Sequence, residues 1–240
     1  MRNSNRGKTL AAYLDNISTI FFDFGNTLGC STLSISEVWV AAAAERGIVL
    51  QQDALLEAMR VADRICNPKV YEYKGRMPEF WGLYDACVLD RLDIADSDGS
   101  LSRAVGSAFL DAERLFRVFP ETHSVLSELK WREYALGIIS NNTEEMLDRM
   151  KSLGLVGYFD TITYSQEAGA EKPDPAPFEL ALRRAGRAPQ ECVHIGDSFE
   201  QDIVGARRAG IKPILIDRSM KYPEADCVTI RSLNEILNES

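Results

Sequence analysis

At 240 residues the chain is long enough for one large domain, or for a core domain with a second one inserted. Its apolar fraction of 45% and charged fraction of 26% are those of an ordinary globular protein. A formal net charge of −9 argues against broad nucleic-acid binding, which needs a basic face.

Residues 1–16 read as an N-terminal extension. Arg2, Arg6 and Lys8 come with no apolar h-region, so this is not the pattern of a secretory signal. Leu10, Tyr13 and Leu14 leave two readings open, a short amphipathic helix or a fraying segment. Next comes "ISTIFFDFGNTLGCS", where the apolar run Ile20-Phe21-Phe22 delivers a carboxylate at Asp23, followed by Gly25, Asn26 and Thr27. Residues 34–116 are helical in pattern. "SISEVWVAAAAERG" ends on Gly47, a C′ residue, and "DALLEAMRVADRIC" stops before Asn67-Pro68. "PEFWGLYDACVLDRLDI" opens on Pro78 and sets Phe80, Tyr84 and Val88 along one face. "SLSRAVGSAFLDAERLF" follows a "DSDG" turn. Four helices without a strand signal predict a separate helical module.

From Thr122 the texture alternates. "HSVLSELKW", "EEMLDRMKSLG", "PAPFELALRRAG", "EQDIVGARRAG" and "SLNEILN" read as helices. "YALGIIS", "DTITYS", "CVHIGD", "KPILID" and "DCVTI" read as strands between them. Alternation of this kind predicts a parallel sheet with helices on both faces, and the Asp23 strand belongs to it by texture. The reading is therefore an α/β core of residues 17–33 and 117–240, with residues 34–116 inserted. Cys30, Cys66, Cys87, Cys192 and Cys227 are odd in number and form no C-x-x-C pair, so reduced, mostly core thiols are expected. No apolar run approaches the ~20 residues that span a bilayer, and cytoplasm is the expected location.

In open parallel sheets ligands bind beyond the carboxyl ends of the strands. Three strands end there on polar groups: Asp23, then Ser140-Asn141-Asn142, then Gly196-Asp197, with Asp202 five residues on. "AGAEKPDPAPF" supplies Lys172 from a loop before a helix. Carboxylates, a hydroxyl and a lysine converging on one point make a phosphate-and-magnesium constellation. Hard oxygens suit Mg²⁺, Lys and Ser bind phosphoryl oxygens, and a carboxylate can serve as nucleophile. Each residue also has a plainer reading. A strand-end Asp is often a turn residue, Ser140 could cap a helix, and Lys172 could be a solvated loop cation. Asp202 could merely favour a helix's first turn. His194 reads as a core histidine, His123 as part of a helix start, and Trp39, Trp81 and Trp131 as packing groups.

"FFDFGNT", "GIISNN", "EKPDP" and "HIGDSFEQDIVGA" resemble, in order and spacing, the four motifs of the haloacid dehalogenase-like (HAD) hydrolase superfamily. The resemblance runs from Ile17 to the end of the chain. It implies a HAD-type Rossmann-like parallel-sheet core with an all-helical cap of the C1 type at residues 34–116. It implies Asp23 as nucleophile and Mg²⁺ ligand, the Gly25 carbonyl and Asp197 as further ligands, and Asp202 as an acid at the metal that orients Lys172 or a water. Ser140 and Lys172 would hold the transferring phosphoryl group, Asn141 would assist in substrate binding, and Thr27 would shape the loop. The implied partner is a small phosphorylated metabolite, with no nucleic acid and no membrane; the sequence is silent on oligomeric state.

One position departs from the pattern. The phosphatase branch carries a second Asp two residues after the nucleophile as general acid and base, and here that residue is Gly25. Neither glycine nor the neighbouring Asn26 amide can move that proton. Three readings follow: a Mg²⁺-dependent phosphohydrolase with the proton supplied by a cap acid such as Glu72 or Glu79, or by water; a catalytically weak phosphoryl-binding or interaction protein; or a branch that also lacks the Asp. Within the last, haloacid dehalogenases use an Arg soon after the first motif, but no Lys or Arg lies between Thr27 and Glu45. Phosphonoacetaldehyde hydrolases need a Schiff-base lysine, for which Lys69 and Lys74 are poorly placed.

Overall fold

Thr19–Phe22 is apolar on both faces, a pattern that suits a strand covered on both sides. The computed structural model describes residues 10–31, 33–66, 69, 72–73, 76–114 and 116–237, and there this run forms such a strand, buried throughout. Arg2, Arg6, Lys8, the Asn67-Pro68 stop and Lys74 lie outside the described residues. The described chain divides into two units, one up to Cys30 and again from Val118, the other Ser31–Arg117.

In chain order the first unit begins with α1 (Leu10–Leu14), β1 (Thr19–Phe22) and β2 (Gly29–Cys30). Of the two readings open for residues 10–14, the helix is the one found. It is tied down by Tyr13, whose hydroxyl donates to the Pro213 carbonyl at 2.9 Å.

The second unit consists of α2 (Ile35–Ala44), α3 (Gln52–Cys66), α4 (Met77–Arg91) and α5 (Ser100–Arg114). Ser34 starts α2 with a capping box, its hydroxyl accepting from Glu37 N–H while the Glu37 carboxylate accepts from Ser34 N–H. Asp96 caps α5 by accepting from the N–H groups of Leu101 and Ser102, each at 2.9 Å. Phe80, Tyr84 and Val88 are all buried, in a core shared with Trp39, Leu55 and Leu101.

The chain then returns through β3 (Arg117–Val118), which pairs with β2, and α6 (Thr122–Trp131). It continues with β4 (Ala135–Ser140), α7 (Glu145–Ser152), β5 (Thr161–Tyr164), α8 (Ser165–Ala168) and α9 (Ala176–Ala185). The last elements are β6 (Cys192–Gly196), α10 (Gly205–Arg208), β7 (Lys212–Ile216) and β8 (Val228–Ile230). The six-stranded sheet runs β5-β4-β1-β6-β7-β8, parallel throughout. β1 is central, with Phe22 in register with Ile138 of β4 and Ile195 of β6. This alternation of parallel strands and helices is the α/β arrangement expected from the texture, and it forms the Rossmann-like core that the resemblance implies.

The structure corrects several details. "EQDIVGARRAG" is not one α-helix; Phe199–Val204 forms a π-helix that passes into α10. "SLNEILN" is a 3₁₀ turn, Leu233–Leu237. β2, β3 and α8 are too short for a periodic signal. Trp39 is a buried packing group and Trp81, though 43% exposed, packs its ring against Phe80 and Tyr84, whereas Trp131, at the end of α6, is 78% exposed. All five cysteines are free, and only Cys66 and Cys192 are buried. No helix among the described residues is long and apolar enough to cross a membrane.

Candidate active site

Because β1 lies between β4 and β6 in register, their carboxyl ends deliver Asp23, Ser140 and Asp197 side by side. Asp23 leaves the sheet with its N–H still donating to the Ile195 carbonyl at 2.8 Å, so its position is fixed by the ladder itself. Ser140 closes β4, almost fully buried. It does not cap a helix: the N-cap of α7 is Glu144, and no side chain caps that helix.

Lys172 joins these strand ends from the loop before α9. It is 2% exposed, which rules out a solvated loop cation. Its Nζ donates to Asp23 Oδ1 at 2.8 Å, to Asp202 Oδ1 at 2.5 Å and to the Ile139 carbonyl at 2.9 Å, using all three ammonium protons. The Asn141 side chain holds the lysine's backbone at two points. Its Nδ2 donates to the Lys172 carbonyl at 3.0 Å and its Oδ1 accepts from Lys172 N–H at 2.7 Å. The amide of Asn141, expected at the substrate, is thus engaged in holding the Lys172 loop.

Asp202 is buried and turned back toward β6. A Cβ on Gly196 would lie 2.1 Å from the Asp202 Cγ, so only glycine leaves room for that carboxyl. The wide π turn carries Asp202 into this cradle, with Asp202 N–H and Ile203 N–H both donating to the Ser198 carbonyl. Besides Lys172, Asp202 accepts from Ser198 N–H on Oδ2 at 3.0 Å and faces His194 Nε2 on Oδ1 at 2.9 Å. His194 is therefore more than the packing group its apolar strand announces.

The charges are strongly perturbed, each for an identifiable reason. Burial pushes Asp23 up, against the pull of Lys172, and its net affinity for a proton is raised. Burial also pushes Asp202 up, but Lys172 and His194 outweigh it and hold the carboxyl well below the usual range. Burial draws Lys172 down, while Asp202 and Asp23 overcome that and hold it above its ordinary value. Asp197 is pushed up to about 7 by burial, with Asp23 and Asp202 adding to the effect. Oxygens of Asp23, Asp197 and Asp202 lie within 4.8 Å of one another. Three carboxylates crowded around one ammonium, with two of them, Asp23 and Asp197, reluctant to ionise, form a hard-oxygen donor set that fits a divalent cation such as Mg²⁺.

The loop after Asp23 is pinned at its exit. Leu28 N–H donates to the Phe24 carbonyl, and Asn26 takes a left-handed φ of 54°. The Leu28 carbonyl accepts from Phe119 N–H at 3.0 Å and Thr122 Oγ1 at 2.7 Å. The Thr27 carbonyl accepts from Arg218 Nη2 at 3.1 Å, and Arg218 also pairs with Glu121 at 2.8 Å. The buried Thr27 hydroxyl has no partner among the described residues. Gly25 is half-buried, and a Cβ built on it would meet nothing within 4 Å.

Within the second unit, Glu79 pairs with Arg76 at 2.7 Å on the surface, and the side chains of Glu72 and Lys69 are exposed. None of the three is a buried, poised acid or base.

The family model of the haloacid dehalogenase-like hydrolases matches residues 17–210, a span that takes in every residue of this cluster. The chain belongs to the haloacid dehalogenase-like hydrolase family. A glyceraldehyde 3-phosphate phosphatase of Methanothermobacter thermautotrophicus is 40% identical over 121 residues, covering 50% of this chain and 54% of that protein. The chain thus spans about half the length of that relative. A glyceraldehyde 3-phosphate phosphatase of Methanopyrus kandleri is 29% identical over 215 residues, covering 88% of each chain. The crystal structure of a HAD phosphatase from Thermococcus onnurineus superposes with a TM-score of 0.65 at 24% identity, covering 92% of this chain and 96% of that one, a likeness of fold.

Proposed function

We propose that this HAD-family protein is a Mg²⁺-dependent phosphatase of small phosphorylated metabolites. The observation that carries the reading is the Lys172 ammonium held between Asp23 and Asp202 at the carboxyl edge of the sheet, beside Asp197. Asp23 is the nucleophile. Its carboxylate oxygen attacks phosphorus, the bond from phosphorus to the leaving oxygen breaks, and an aspartyl-phosphate forms. Water then attacks that phosphorus, releasing phosphate and regenerating the carboxylate. Lys172 neutralises charge on the phosphoryl oxygens, with Ser140 donating from the end of β4. Asp23, Asp197 and the Gly25 carbonyl would hold the metal, with Asp202 behind them as the anchor of Lys172. Magnesium, when bound, supplies charge stabilisation to the phosphoryl group.

Names of relatives support the substrate class: two similar proteins are glyceraldehyde 3-phosphate phosphatases. The helical residues 34–116 are the part we assign to substrate choice, as an inserted cap. Gly25 leaves the leaving oxygen without the usual proton donor, so esters of acidic alcohols should be cleaved best. The test is a panel with saturating Mg²⁺. p-Nitrophenyl and acyl phosphates should turn over far faster than alkyl phosphates, and Asp23→Asn should abolish all of it. Equal rates across the panel would contradict the proposed cost of Gly25.

A second reading rests on the same glycine. A protein that keeps the pocket but lacks the acid can serve as a phosphoryl-binding or interaction protein. Phosphate binding without turnover above the Asp23→Asn control would favour it.

A further inference from the structure

We propose that His194 is a positioning residue for the Lys172–Asp23 pair, acting through Asp202 as a neutral imidazole that carries its single hydrogen on Nε2. The inference rests on the phosphatase reading for its functional consequence, and on geometry for the rest.

His194 is fully buried in β6, eight residues before Asp202. Its Nε2 faces Asp202 Oδ1 at 2.9 Å. A carboxylate can only accept, so that nitrogen carries hydrogen. Nδ1 is buried with no partner among the described residues. The ring meets Phe178 nearly at right angles, with centroids 5.2 Å apart. A hydrogen on Nδ1 would be an unsatisfied donor in an apolar setting, which is costly; a bare lone pair there costs less. The ring is thus singly protonated, on the side of Asp202.

The consequence follows from what shares Oδ1. The same oxygen takes Lys172 Nζ, and Nζ reaches Asp23 with another proton. Oδ2 is fixed by Ser198 N–H, and Gly196 leaves the carboxyl its space. Without the imidazole N–H, Oδ1 would be restrained by the lysine alone, and anchor and ligand would move together. With it, Asp202 is a fixed post, and the ammonium stays aimed at Asp23 when a phosphoryl group competes for its protons.

Two measurements test this. The chain has two histidines, so a long-range ¹⁵N–¹H spectrum of the uniformly labelled protein resolves both, and a His123→Gln variant assigns them. His194 should show the neutral pattern with hydrogen on Nε2. A hydrogen on Nδ1, or an imidazolium pattern, overturns the proposal whatever the enzyme's activity. Second, orthophosphate binding in the presence of Mg²⁺ is measured by calorimetry for wild type, His194→Gln and His194→Phe, alongside their melting temperatures. His194→Phe should weaken phosphate binding roughly tenfold, the loss expected for one hydrogen bond to a charged group. His194→Gln, which can still donate, should recover most of it even where its melting temperature is as low as that of His194→Phe. Phosphate affinity that tracks melting temperature alone in the two variants would reduce His194 to a packing role. A wild type that binds no phosphate would count against the phosphatase reading, and the spectrum would still decide the tautomer.

Discussion

Replacing Gly25 with aspartate should restore the missing acid and base at little structural cost. A Cβ at Gly25 meets no atom within 4 Å, and its backbone is not in the left-handed region, unlike Asn26 beside it. Substitution of a glycine in an unstrained conformation changes stability by about 1 kcal/mol or less. A positioned acid or base contributes about 10²–10⁴ in rate. That corresponds to about 2.7–5.4 kcal/mol of barrier. The new carboxyl joins three crowded carboxylates and has no partner built for it, so the lower end, about 10²-fold, is the expected gain in kcat on an alkyl phosphate. On p-nitrophenyl phosphate, whose leaving group departs without a proton, the gain should be well under that. The assay is a pair of steady-state titrations with the two esters at saturating Mg²⁺, with melting curves to show that the variant folds. No gain on the alkyl ester in a folded variant would refute the view that Gly25 limits the reaction, and would place the proton elsewhere.

Four further outcomes are expected. Lys172→Met removes one member of a buried ion cluster and should destabilise the fold by about 3–5 kcal/mol, read as a fall in the urea midpoint. Asp197 has its pKa raised in the folded state to about 7, so its contribution to stability is full below its unfolded pKa of about 3.9 and is lost as pH rises through about 7. A divalent cation favours the ionised carboxylate, so saturating Mg²⁺ should raise the melting temperature more at pH 8 than at pH 5.5; equal shifts would mean that Asp197 is not part of the metal's donor set. Gly196→Ala drives a methyl into the Asp202 carboxyl and should abolish phosphate binding while the far-UV circular dichroism stays native. Arg218→Met frees the Thr27 carbonyl and leaves Glu121 without its main cation, so Mg²⁺ affinity measured by calorimetry should fall.

Asp23, Ser140 and Asp197 were legible in the sequence because each ends or directly follows an apolar run, and sheet topology alone brings such ends together. Lys172 was legible only beside them, as a cation in a loop before a helix. The helical block between β2 and β3 was legible from 3.6-residue periodicity and from helix ends such as Gly47 and Pro78. His194 reads as a core histidine and is fully buried; its bond to Asp202 was not legible, because it depends on a π turn that helical periodicity does not announce. The bond between Arg218 and Thr27 spans 191 residues and leaves no local pattern. A strand-end amide such as that of Asn141, beside a phosphate site, reads as a substrate group; its two bonds to the Lys172 backbone exist only in three dimensions.

In the proposed reaction Asp23 attacks phosphorus. Rapid quench of the protein with Mg²⁺ and a phosphorus-labelled acyl phosphate, followed by peptide mapping, tests it most directly. The label should appear on the peptide containing Asp23 and be absent from the Asp23→Asn protein, which should not turn over. Label on another residue, or undiminished hydrolysis by Asp23→Asn, would contradict it.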